Sequence, residues 1–125
     1  MLASGRMAGF VLTRDYERAR NFYEGQLGFE FVSQDQFALV VQAGANRIRI
    51  VKSSDMTPLR STVLGWEVPE IEPVVDWLQQ RGVAFEKYPF VQDKHRGIWT
   101  APNGDKVAWF KEPDGNVLGV SQHIS

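Results

Sequence analysis

The sequence predicts an α+β fold in which two β-α-β-β-β modules build a curved mixed sheet around a cleft. Three observations predict it. Two amphipathic helical stretches, each closed by a glycine, divide the 125-residue chain into halves of the same pattern. Each stretch follows an apolar run and precedes a series of short strand-like segments. The end of the first helix, Phe22 to Phe29, also corresponds in pattern to the end of the second, Leu78 to Phe85.

The elements follow in order. Met7 to Thr13 is apolar and predicts a buried strand. Asp15 stands where an N-cap belongs. Tyr16, Ala19, Phe22, Tyr23 and Leu27 then recur at helical spacing, and Gly28 is the expected C-cap. Phe29 to Ser33, Phe37 to Gln42 and Arg47 to Lys52 predict three strands, the last two joined at Gly44 to Asn46. The first module thus covers about residues 5–53. A polar stretch from Ser53 to Ser61, containing Pro58, reads as a linker or exposed crossover.

The second module covers about residues 61–125 and completes a single domain. Thr62 to Val68 is its first strand. Pro69 and Pro73 bracket a helix start, where proline is tolerated. Ile71, Val74, Val75 and Leu78 form a buried stripe, and Gly82 ends the helix. Ala84 to Phe90 predicts a strand. Asp105 to Lys111 and Val117 to His123 predict a hairpin around Pro113 to Asn116.

Composition narrows the function classes. The chain is 43% hydrophobic and 23% charged with a net charge of −1, and it carries no basic stripe, which argues against nucleic acid. No apolar run approaches the roughly 20 residues that span a bilayer. The absence of cysteine excludes disulfides, thiolate metal sites and a cysteine nucleophile. Met1 to Met7 lacks the charged and apolar regions of a signal peptide, so a cytoplasmic protein is expected.

The stretch from Arg14 to Phe31 resembles the first helix of the glyoxalase, bleomycin-resistance and extradiol-dioxygenase group, the vicinal oxygen chelate superfamily. Trp109 to Val120, built around Glu112-Pro113-Asp114-Gly115-Asn116, resembles that family's closing hairpin. The resemblance covers nearly the whole chain. It implies a homodimer, and a divalent metal held by His, Glu or Gln from the first and last strands of each module. Carried over singly, the ligand positions fall on Ala8, Arg49, Val63 and Gly119. Three of these side chains have no donor atom, and arginine repels a cation. No metal cofactor is therefore expected.

Strand alternation gives the lining that replaces it. Phe10, Trp109 and aliphatic residues would supply contact area, with Arg49, Glu67 and Ser121 as polar groups. Arg49 would neutralise an acidic ligand, pair with Glu67, or stand as an exposed strand charge. Glu67 is a candidate for a general base, or else a solvated carboxylate. Together with a carboxylate, His95 and His123 offer an alternative metal site; otherwise they are surface histidines. His95 lies in a polar loop followed by Ile98 to Ala101, which reads as a lid or a plain connection. Trp66 and Trp77 sit with core positions, whereas Trp99 and Trp109 suit ligand stacking. No serine-based triad is evident. The reading that results is a small-molecule-binding protein without the family's metal. Its rivals are a glyoxalase- or dioxygenase-like enzyme with displaced ligands, and an interaction module with an unused cleft.

Overall fold

In the computed structural model, which describes residues 1–124, Asp15 starts the first helix as its position predicts. Its Oδ1 accepts the N–H groups of Glu17 and Arg18 at 3.0 and 3.5 Å. Helix α1 (Tyr16–Arg20) does not stay regular: it runs on as a π-helical segment, Asn21–Gln26. There the Leu27 N–H reaches back to the Phe22 carbonyl at 2.9 Å. The wider turn keeps Ala19, Phe22, Tyr23 and Leu27 all buried. Gly28 then ends the helix at φ +77°, the left-handed conformation that favours glycine.

The chain divides into two compact units, one of Met1–Thr57 and one from Pro58 onward. The first contains β1 (Ala8–Thr13), α1, β2 (Glu30–Gln34), β3 (Leu39–Ala43) and β4 (Asn46–Lys52). Its sheet order is β1-β4-β3-β2, with β1 parallel to β4 and the other pairs antiparallel. Val11, Thr13, Ile48 and Ile50 face inward and are buried. Phe10 and Arg49, partners across the β1–β4 pair, lie on the opposite, exposed face with Arg47.

The second unit repeats the topology with β5 (Thr62–Glu67), α2 (Ile71–Gln80), β6 (Ile98–Thr100), β7 (Lys106–Lys111) and β8 (Val117–Gln122). Its order is β5-β8-β7-β6, again with one parallel pair, β5 with β8. Helix α2 packs on β7 and β8. Ile71, Val75 and Leu78 on the helix are buried, as are Ala108, Phe110, Leu118 and Val120 on the strands. The Ile71 N–H, a donor that the helix itself leaves unpaired, donates to Gln122 Oε1 at 2.8 Å. The chain is thus an α+β protein of two β-α-β-β-β modules with mixed sheets. Among the described residues no helix is long and apolar enough to cross a membrane.

Four expectations change. Ala84 to Phe90 is not a strand: only Phe85 bridges, to Phe110. Pro89 lacks a backbone donor, and the Lys94 ammonium takes the Tyr88 carbonyl at 2.9 Å. The missing strand is instead β6, which had read as a lid or connection. Its end is secured by Gln92, whose side chain accepts from the Thr100 N–H and donates to the Thr100 carbonyl, each at 3.0 Å. Trp77 is not in the core but 44% exposed, with the Arg81 guanidinium 4.7 Å over its ring. Finally, β5 carries a bulge between Thr62 and Leu64, so Thr62 takes the place expected of Val63 on its face.

The closing turn is held from within. Glu112 is 3% exposed, and its Oε1 accepts the N–H groups of Asp114 and Asn116 at 2.8 and 2.9 Å. Burial pushes the Glu112 carboxyl above its ordinary range, against these hydrogen bonds. Gly115 sits at φ +91°, and a Cβ there would meet Pro58 at 3.2 Å.

Candidate functional site

The richest site lies on the face of the second sheet that α2 leaves uncovered. Three cross-strand rows build that face. Trp99, Val107, Ser121 and Glu67 form one row, Trp109, Gly119 and Gly65 the next, and Lys111, Val117 and Thr62 the third. Gly119, the residue at a carried-over metal position, lies beside the Trp109 ring. A Cβ built there would be 3.6 Å from Trp109 Cδ1 and 3.5 Å from Thr62 Cγ2. Over Gly65 the same construction meets only the Gly119 carbonyl, so this part of the floor is open.

The segment that leaves Phe85 folds over this floor and supplies two more rings. Tyr88 and Phe90 stack at 5.6 Å with an interplanar angle of 15°. Both meet Trp109 edge-on, at 5.7 and 5.8 Å. Trp99 closes the cluster, 6.2 Å from both Phe90 and Trp109. Gly97 holds this segment close at φ +79°, where a Cβ would be 2.9 Å from the Glu86 carbonyl oxygen.

Beside the rings is a recess of about 370 Å³ lined by Arg60, Ser61, Thr62, Tyr88, Phe90, Trp109 and Val117. A second, of about 320 Å³, adjoins it and adds Pro58, Leu59, Lys111 and Gly115 to the lining. Arg60 and Tyr88 border both. Aromatic walls therefore meet two cations, Arg60 and Lys111, the latter 3.8 Å from Glu86. Burial, with Glu86 adding, raises the Tyr88 phenol pKa, so its hydroxyl stays a neutral donor. This chemistry suits a flat aromatic body bearing an acidic group.

Within the second unit the structure brings together several of the residues singled out from the sequence. Trp99, Trp109 and Ser121 share the described face with Glu67. Phe10, 66% exposed, and Arg49 belong to the open face of the first unit. Asp35 of that unit is held below the ordinary carboxylate range by the N–H groups of Phe37 and Ala38, with Arg49 adding. His95 stands in the loop before β6, where its N–H donates to Asp93 and its carbonyl accepts from Gln79. His123 instead joins Asp105 and Ser121, each at 3.0 Å. The sequence reading missed Arg60, Thr62, Tyr88 and Phe90. The clue to Arg60 was its place two residues before β5, the strand that borders the Trp109 row.

A divalent metal does not fit this donor set. Among the described residues no group of three His, Cys, Asp or Glu side chains could hold one. Both ring nitrogens of His123 are engaged, and Gly119 and Thr62 occupy positions where the family resemblance asks for a stronger ligand.

Residues 6–120 match the model of the Glyoxalase/Bleomycin resistance protein/Dioxygenase superfamily. No protein of curated function matches the sequence. Among solved structures, TnmS3, an antibiotic-binding protein from Streptomyces sp. CB03234, is 26% identical with a TM-score of 0.74, the alignment covering 98% of each chain. A bleomycin-binding protein complexed with bleomycin is 20% identical with a TM-score of 0.73, covering 96% of this chain and 99% of that one. A superfamily member from Sphaerobacter thermophilus DSM 20745 is 21% identical with a TM-score of 0.74, covering 98% and 100%.

Proposed function

The chain belongs to the Glyoxalase/Bleomycin resistance protein/Dioxygenase superfamily, and from that premise we propose that it is a metal-independent binding protein for planar aromatic acids. The observation that carries the reading is the Tyr88, Phe90, Trp99 and Trp109 wall beside Arg60. Rings of this kind gain contact area and stacking energy at small entropic cost, and a guanidinium selects a carboxylate. The likeness to an antibiotic-binding protein and a bleomycin-binding protein supports the same class. A homodimer is part of the proposal. It is supported by the family resemblance and by the apolar Phe10 and Leu12, 66% and 44% exposed on β1.

The test is a titration with 2-naphthoate and 2-naphthamide in the presence of a chelator, followed by tryptophan fluorescence. The wild type is expected to prefer the acid and to lose that preference as salt rises. Arg60→Gln is expected to weaken naphthoate binding about fivefold, as suits an exposed cation, and to leave the amide unchanged. Equal binding of acid and amide by the wild type would remove Arg60 from the site.

A further inference from the structure

The uncovered face of the second sheet also carries a hydrogen-bonded Asp-His-Ser relay that the binding function does not use. His123 Nδ1 lies 3.0 Å from Asp105 Oδ2, and His123 Nε2 lies 3.0 Å from Ser121 Oγ. A carboxylate only accepts, so Nδ1 carries a proton, and in the neutral ring Nε2 then accepts from the Ser121 hydroxyl. Asp105 is itself fixed. Its Oδ1 accepts the Ile124 N–H at 3.0 Å, and its backbone N–H donates to Asn103 Oδ1 at 3.0 Å. Such relays are recognised by geometry and roles rather than by chain order.

Position adds a second, independent argument. Ser121 shares its row with Trp99 and Val107, one row from Trp109 and Gly119. Ser121 thus stands on the same sheet face as the two tryptophans, outside the lining of the Arg60 recess and across the Trp109 row from it.

We propose that Ser121 is a nucleophile for acyl transfer from aryl esters, with His123 as general base and Asp105 as the residue that positions it. Ser121 Oγ attacks the ester carbonyl carbon and its proton passes to His123 Nε2. The bond from the acyl carbon to the aryl oxygen breaks, and the phenoxide leaves with that proton. Water then attacks the acyl-serine, giving its proton to Nε2; the bond from the acyl carbon to Ser121 Oγ breaks, Nε2 returns the proton to Oγ, and the carboxylic acid departs.

Asp105, through its hydrogen bond, raises the His123 pKa, and Glu67 adds to the effect. The imidazole works as a base only when neutral, so the rate rises with pH along a limb displaced above that of free imidazole.

The experiment uses the full chain with p-nitrophenyl acetate and 2-naphthyl acetate, read by phenol release and by peptide mapping of acid-quenched protein. Expected are an acetyl group on Ser121 and a loss of about a hundredfold or more in Ser121→Ala and in His123→Gln. Asp105→Asn is expected to shift the pH limb downward, which a purely structural role would not do. Hydrolysis by Ser121→Ala at the wild-type rate, or acetylation confined to lysines or tyrosines, overturns the proposal. The seat of the aryl group rests on the binding reading, so Ser121→Ala is also titrated with 2-naphthoate. Retained binding with no esterase activity in the wild type would sink the acyl-transfer proposal alone.

Discussion

Phe110→Ala is expected to lower the unfolding free energy by about 3–5 kcal/mol in urea denaturation. Phe110 is 1% exposed and meets Phe85 edge-to-face at 5.3 Å and 65°. The Phe85 segment also bridges to it. Truncation therefore leaves a ring-sized void and loosens the segment that carries Tyr88 and Phe90. The cost is a large share of a stability that totals about 5–15 kcal/mol in domains of this kind. Phe110→Leu, which keeps most of the volume, is expected to recover most of the loss. An unchanged midpoint for Phe110→Ala would show that the core of this unit lies elsewhere.

Its neighbour gives the opposite result. Trp109→Ala is expected to keep the fold but weaken 2-naphthoate binding tenfold to a hundredfold, about 1–3 kcal/mol of stacking. Adjacent residues of one strand point to opposite faces, so Phe110 serves the core and Trp109 the recess. Trp109 contacts Tyr88, Phe90 and Trp99, so its loss removes the centre of the aromatic wall. Naphthoate binding at the wild-type level by Trp109→Ala would rule this wall out as the site.

The fold was legible because its signals are local. The Ile71, Val75 and Leu78 stripe, the stops at Gly28 and Gly82, and the Glu112 to Asn116 turn each act within a few residues. Strand alternation likewise put Trp109, Gly119 and Ser121 on one face. What failed depended on contacts between distant residues. The bulge in β5 exchanged Val63 for Thr62, since a slip of one residue swaps faces. Strand β6 is short, and its end is satisfied by the Gln92 side chain, which no periodicity reveals. Arg60 was hidden in a polar stretch, and the rings of Tyr88 and Phe90 were read as part of a strand. His123 is at the surface, as read, but its hydrogen bond to Asp105 forms across the β7–β8 hairpin, which no local pattern reveals.

The most direct test of a metal-independent aromatic-acid site is an NMR titration of the tryptophan indole N–H signals with 2-naphthoate in excess chelator. The chain has four tryptophans, and they report on different places. Trp99 and Trp109 belong to the ring cluster, whereas Trp77 lies under Arg81 on α2. The predicted result is saturable movement of the Trp99 and Trp109 signals while Trp77 stays fixed. Movement of Trp77 alone, or binding that appears only when a divalent metal is supplied, would contradict it.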